Sequence, residues 1–222
     1  HLGVESRSIH IVIMVNPEQS GTIWLGNDLK IMIYILRKWI TVRLKGGIMM
    51  KLVLLSGGVD SSTALALAKA TDPDILAITF TYNQQHEQME LLAAQKVSEY
   101  YQVRHKIMDL SSIFSDSQSA LSLNNDIPIA EGAYGESNEL NTEVEFRNGV
   151  FLAILASLAK QYRADEIYFG AHQDESGTVY PDCSPEFIQT MNQAIQLGTN
   201  NSVSIKAPFM TRLKKDIVAT GI

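Results

Sequence analysis

At 222 residues the chain is long enough for one well-filled core, and 45% hydrophobic with 19% charged residues is the balance of a soluble globular protein, not of a disordered or membrane-embedded one. A net charge of −6 argues against a nonspecific nucleic-acid binder. The single cysteine, Cys183, rules out an intrachain disulfide and suits a reducing, cytoplasmic compartment. No apolar run approaches the ~20 residues a membrane-crossing helix needs, so no membrane partner is expected.

Residues 1–49 read differently from the rest. Isolated apolar runs (Ile9–Val15, Ile31–Leu36) mix with Arg37, Lys38, Arg43 and Lys45, and Lys45-Gly46-Gly47 precedes Met49-Met50. Lys-Gly-Gly is what a ribosome-binding site of the AAAGGAGG type encodes in frame. The expectation is a non-native or disordered extension over 1–49 and a native start at Met49 or Met50. The competing reading makes the two apolar runs strands or a short amphipathic helix.

From Met50 the pattern alternates. Lys51–Leu55 reads as a strand, Ser61–Lys69 as a helix, and Ile75–Phe80 as a strand after the turn Thr71-Asp72-Pro73-Asp74. Gln88–Tyr101 is a helix, His105–Asp109 a strand, and 111–146 a long irregular stretch. Asn148–Tyr162 is apolar on nearly every side and is expected to be deeply buried. Glu166–Gly170 is a strand. Pro185–Leu197 is a helix with Ser184 as N-cap, Pro185 at its first position, and Phe187, Ile188, Met191, Ala194 and Ile195 on one face. Ser204–Ala207 is a short strand, and Leu213–Thr220 a helix that has barely begun. This alternation predicts an α/β fold: a parallel sheet with helices on both faces, joined by right-handed crossovers. Ligands of such sheets bind at the carboxyl ends of the strands, where Ser56, Tyr82, Gly170 and Pro208 fall.

The junction after the first strand is the most informative segment. Ser56-Gly57-Gly58-Val59-Asp60-Ser61-Ser62 links strand to helix. Its glycines permit a tight turn and close backbone approach, and the first helical amides and the helix dipole favour an anion there. Ser56, Ser61 and Ser62 add hydroxyl donors. The segment is neither G-x-x-x-x-G-K-[ST] nor G-x-G-x-x-G. Further candidates follow. Tyr82-Asn83-Gln84-Gln85-His86 ends the second strand. Arg147, in Phe146-Arg147-Asn148, opens the buried helix where its charge opposes the dipole, so a phosphate fork is its natural role. The run from Gly170 to Cys183 contains His172, a structural hydrogen-bonder or proton shuttle, and the carboxylates Asp174, Glu175 and Asp182, which with the segment's amides suit a purine-like edge or Mg²⁺. Lys214 follows Ala207-Pro208-Phe209 as a cation near the phosphate site. Local sequence alone leaves these readings open against a solvated loop, a surface arginine or an exposed helix lysine.

The pattern S-G-G-x-D-S resembles the PP-loop of ATP pyrophosphatases, which hold the β,γ-pyrophosphate and cleave ATP between the α and β phosphates. Leu54–Leu65, Tyr82-x-Gln84-x-His86, Phe146-Arg147-Asn148, Tyr180-Pro181-Asp182-Cys183 and Ala207-Pro208-Phe209 with Lys214 together resemble the 7-cyano-7-deazaguanine synthases from Met50 to Ile222. The resemblance implies an adenine nucleotide alpha hydrolase-like (PP-loop ATPase) fold over 50–222. It implies a cytoplasmic ligase that converts 7-carboxy-7-deazaguanine and ammonia to the nitrile preQ0 in queuosine biosynthesis, with ATP and Mg²⁺, no nucleic-acid partner, and room for a homodimer. By position, Leu55, Ser56, Gly57, Gly58, Val59, Asp60, Ser61, Ser62, Thr63, Ala64 and Leu65 bind ATP. Arg147, Lys214, Asp60 and Ser61 are the catalytic candidates, with Asp60 holding either the loop or Mg²⁺. Tyr82, Gln84, His86 and Asp182 are the substrate-binding candidates.

Two departures stand out. Glu145 occupies a position where the family usually has proline. Family members also carry a C-terminal four-cysteine zinc site, whose ligands are absent from this chain, so the domain is expected to be incomplete at its C-terminus and metal ligands are assigned to none of its residues. The alternatives are another PP-loop ligase, a tRNA-modifying enzyme, or an inactive nucleotide-binding fragment.

Overall fold

The computed structural model describes residues 49–123, 141–172 and 180–221. The extension reading for 1–49, apart from Met49, lies outside them, as do residues 124–140 of the irregular stretch and the candidates Asp174 and Glu175. Ten elements follow in chain order: β1 (Met50–Leu54), α1 (Val59–Thr71), β2 (Ile75–Thr81), α2 (Glu87–Tyr100), β3 (Arg104–Asp109), α3 (Arg147–Tyr162), β4 (Ala164–Tyr168), α4 (Pro185–Gly198), β5 (Ser204–Lys206) and α5 (Lys214–Thr220). A 3-10 turn, Pro181–Cys183, precedes α4. The sheet has five strands in the order β3-β2-β1-β4-β5, and every pairing is parallel.

Strand alternation sorts the apolar side chains onto two faces. On one face Leu52, Leu76, Ile78, Phe80, Ile167 and Ile205 pack with Leu152 and Leu155 of α3 and Ile188 and Ile195 of α4. On the other, Val53, Leu55, Ile75, Ala77 and Tyr168 pack with Leu65 and Ala68 of α1 and Ala94 of α2. Helices therefore cover both faces, as the alternation predicted. The strand order reverses direction between β1 and β4, which opens a crevice at their carboxyl ends. The loop after β1 enters that crevice. At the opposite edge Lys51 lies 3.0 Å from Asp165 and 2.9 Å from Glu166, tying β1 to β4.

The element boundaries agree with the sequence pattern to within two residues, with two instructive differences. β4 stops at Tyr168 because the chain turns toward the loop, where Gly170 leaves very little room for a side chain. In α4, Ala194 is exposed, and the neighbouring Asn192 instead faces the sheet, its Oδ1 accepting the Ile205 amide at 2.7 Å. α3 is buried on most of its surface, with Ala153, Ser157 and Lys160 forming the exposed strip. Leu152, fully buried in the centre of the larger core, reports on this packing. Leu152→Ala should lower the unfolding free energy by about 2–5 kcal/mol, measured as a shift in urea midpoint at constant m-value.

Candidate active site

Two glycines set the backbone of the phosphate loop: Gly57 has no room for a Cβ, and Gly170 leaves very little. Gly57 has φ +82°, and a Cβ there would lie 2.6 Å from both Ala93 Cβ and the Ala94 amide nitrogen of α2. A Cβ on Gly170 would lie 3.0 Å from the Asp60 carbonyl carbon and the Ser61 amide nitrogen. Between these contacts the loop is internally stapled. The Ser56 amide donates to Ser61 Oγ at 3.2 Å, and Ser61 Oγ–H donates to Gly58 O at 3.1 Å. Ser61 was expected to offer its hydroxyl to the ligand. In the structure that hydroxyl is engaged within the loop, donating to Gly58 O. The amides of Val59, Asp60 and Ser61 belong to the first turn of α1, where an α-helix has no internal acceptors for them. Below the loop, the Thr79 hydroxyl donates to Leu55 O at 2.5 Å, and His105 Nε2 lies 2.7 Å from Thr79 Oγ1. Because the Thr79 proton goes to Leu55, the imidazole must donate through Nε2. Burial pushes His105 below its ordinary pKa. Sequence periodicity carries no signal for this cross-strand relay.

Asp60 gathers the charges at the loop. Its Oδ2 lies 2.6 Å from Lys214 Nζ and 3.4 Å from His172 Nδ1. Three sequence candidates thus meet, although Lys214 is 154 residues from Asp60 in the chain. α5 brings Lys214 there by burying Ile217 with Ala64 and Phe209, and the backbone of His172 bridges to Phe209. Among the described residues, the only buried side-chain polar atoms without a hydrogen-bond partner are Asp60 Oδ1 and Ser62 Oγ, both in this loop. Buried polar atoms are rarely left unpaired, so a pair of them in one loop marks a place built for a ligand. One free carboxylate oxygen beside a phosphate site also fits Mg²⁺, which takes few protein ligands and the rest from phosphate and water. No group of three or more His, Cys, Asp or Glu side chains suited to a metal occurs among the described residues.

Tyr82, Arg147, Asp182 and Cys183 form a second grouping. α3 starts at Arg147 after Phe146, which has φ 52° and no capping side chain. Asp182 supplies the missing cap from 34 residues away, its Oδ2 accepting the Asn148 amide at 2.8 Å. Asp182, a substrate-binding candidate, is buried, with its Oδ2 committed to the start of α3. The signal for this was legible, since a helix entered through Phe-Arg-Asn needs an outside acceptor. Asn148 Nδ2 points at Cys183 Sγ, 3.0 Å away. Burial pushes the Cys183 thiol up to about 11. Arg147 Nη1 donates to the Tyr82 hydroxyl at 2.9 Å, and the guanidinium carbon lies 5.9 Å from the Tyr82 ring centre and 6.0 Å from that of Phe151. Burial works against the Arg147 charge, yet Tyr82, Asp182 and Cys183 hold its pKa above the ordinary guanidinium value. Burial pushes the Tyr82 phenol up, against the pull of Arg147.

The remaining candidates separate. Gln84 is buried, its Oε1 accepting the Tyr82 amide at 2.9 Å and its Nε2 donating to Glu90 at 3.0 Å. Expected to touch substrate, it instead shapes the turn. His86 is exposed and lines an open cleft of about 380 Å³ with Ser56, Gly57, Gly58, Met89, Glu90 and Ala93. Glu145, the departure from the family's proline, accepts Ser117 Oγ–H at 2.7 Å and the Gln118 amide at 3.0 Å, anchoring the segment after β3.

Comparison with known proteins decides the family. A family model described as Queuosine biosynthesis protein QueC matches residues 50–222. The chain belongs to the QueC family. It is 38% identical over 170 residues to a 7-cyano-7-deazaguanine synthase of Desulfotalea psychrophila, covering 77% of each chain. It is 39% identical over 171 residues to one of Porphyromonas gingivalis, covering 77% of this chain and 76% of that one. Among solved structures, the U34-tRNA thiolase NcsA from Methanococcus maripaludis superposes with a TM-score of 0.50 at 15% identity, over 85% of this chain and 63% of that one. That likeness is one of fold, the PP-loop ATPase type. Among the described residues no helix is long and apolar enough to cross a membrane.

Two outcomes follow from this geometry for the QueC domain. Gly57→Ala adds a Cβ that meets α2 backbone in a left-handed conformation, so it should weaken ATP binding by more than about tenfold and destabilise by about 1–3 kcal/mol; calorimetry and a melting curve measure the two effects. Cys183 remains a thiol through neutral pH, so at pH 8 the folded protein should alkylate with iodoacetamide on the order of 10²-fold more slowly than the urea-unfolded chain. Equal rates in the two states would refute the half-buried thiol.

Proposed function

We propose that this chain is the ATP-dependent ligase of its family, converting 7-carboxy-7-deazaguanine and ammonia to 7-cyano-7-deazaguanine in the cytoplasm. The observation that carries this reading is the phosphate loop, whose unpartnered buried atoms Asp60 Oδ1 and Ser62 Oγ sit beside open helix amides and Lys214.

A carboxylate oxygen of the substrate attacks the α-phosphorus of ATP, and pyrophosphate leaves, giving an acyl-adenylate. Ammonia attacks the acyl carbon, releasing AMP and a proton, and leaves the amide. The amide oxygen then attacks the α-phosphorus of a second ATP, and pyrophosphate leaves again. Departure of AMP takes that oxygen away, two protons leave the nitrogen, and the nitrile forms. The amides of Val59, Asp60 and Ser61 face the pyrophosphate and gain most as charge develops on it, which is preorganised electrostatic stabilisation. Lys214 adds a mobile cation, half-exposed and tethered to Asp60. Mg²⁺, when bound, neutralises phosphate charge, and Asp60 Oδ1 is the atom placed to hold it.

The products test the reading. Turnover should require the deazaguanine carboxylate and release AMP and pyrophosphate. Ser61→Ala loosens the loop and Lys214→Ala removes its cation, and each should cost on the order of 10²-fold in kcat. ADP and orthophosphate as products would overturn the PP-loop chemistry.

A further inference from the structure

The Arg147 guanidinium and the Tyr82 hydroxyl keep donors for which no further acceptor occurs among the described residues. Arg147 donates one hydrogen bond, to the Tyr82 hydroxyl. No Asp or Glu among the described residues lies within ion-pair distance of its guanidinium. Asp182, which favours the Arg147 charge, commits an oxygen to the Asn148 amide. The Tyr82 oxygen already accepts from Arg147, so its own proton points onward, and no acceptor for it occurs among the described residues. A guanidinium held on aromatic faces with no carboxylate paired to it keeps donors open for an anion.

The location narrows the anion. The register that pairs Leu54 with Ile78 carries Tyr82 to the same edge of the sheet as the phosphate loop, on the strand next to β1. The pair faces the α3 side, against Phe80, Phe114 and Phe151, whereas Lys214 and α1 lie on the other side of the loop. The loop amides and Lys214 already provide for the pyrophosphate. What the reaction still needs at this edge is a holder for the planar two-oxygen group that attacks the α-phosphorus. A guanidinium fork with a phenol beside it matches a carboxylate in both shape and charge.

We infer that Arg147 and Tyr82 bind the carboxylate of the deazaguanine substrate and aim it at ATP; the phosphate role expected for Arg147 passes to the loop and Lys214. This rests on the proposed function. It makes Arg147 the residue by which the first half-reaction selects the acid.

Equilibrium binding to the whole chain tests it, using 7-carboxy-7-deazaguanine, its neutral 7-carboxamide and a non-hydrolysable ATP analogue as probes. Arg147→Gln should weaken the acid on the order of 10²-fold and leave the amide and the ATP analogue within about threefold. Tyr82→Phe should cost the acid about tenfold. Arg147→Lys keeps the charge and loses the fork, so it should also lose about tenfold for the acid, and melting curves of all three variants establish that they are folded. Equal affinity of wild type and Arg147→Gln for the acid, with the ATP analogue still bound, overturns this inference and leaves the proposed function standing. Loss of the ATP analogue in Arg147→Gln returns the residue to phosphate binding. A wild-type chain that binds ATP analogue but neither deazaguanine overturns the proposed function as well.

Discussion

The phosphate loop is held between two close backbone approaches, one with no room for a side chain and one with very little, and the rest of the site is arranged around that constraint. Gly57 meets the backbone of α2 and Gly170 meets Asp60 and Ser61 from the end of β4. A loop held on both sides at this distance has little freedom to relax, and close-packed backbone transmits any displacement to the helix amides that face the ligand. The cost of ordering the loop is thus met during folding, before a nucleotide arrives, which is what electrostatic preorganisation requires. The Thr79 hydroxyl on Leu55 O extends the same logic one residue upstream, pairing a carbonyl just beyond the last β1–β2 register pair, Leu54↔Ile78.

The two charged groupings at the carboxyl edge divide the labour. Around Asp60 one carboxylate oxygen faces Lys214 and His172, and the other is buried with no partner among the described residues. Lys214 keeps half its surface in water, so its pairing with Asp60 is individually weak and readily exchanged for a phosphate oxygen. Around Arg147 the environment is aromatic and drier, and the interactions there are correspondingly directional. A mobile cation suits a leaving group that must depart, whereas an oriented fork suits a nucleophile that must be aimed.

Three segments far apart in sequence form one structural unit on the α3 side. Asp182 caps α3, which fixes Arg147 at its first turn, and Arg147 in turn binds Tyr82 at the end of β2. Cys183 completes the unit as a half-buried thiol beside Asn148, raised in pKa and suited to packing instead of nucleophilic chemistry. Glu145 ties the start of α3 to the segment after β3 by accepting two hydrogen bonds.

The amino-acid sequence by itself determined the order of strands and helices, the parallel α/β class, and the identity of the phosphate loop, because each depends on short-range spacing. Period-two and period-3.6 apolar patterns are local, and S-G-G-x-D-S is a single continuous segment whose backbone needs are written in its own glycines. Lys214 was also legible as a cation near the phosphates, through its place after Ala207-Pro208-Phe209. Tertiary structure alone decided what the polar candidates do. Ser61, Gln84 and Asp182 have the residue types of ligand contacts, yet each is consumed by a backbone or side-chain partner that folding brings within hydrogen-bond reach. A polar side chain's role depends on which unpaired groups lie around it after packing. Sequence spacing does not report those distances: Asp182 finds its amide 34 residues away, and Lys214 finds Asp60 across 154.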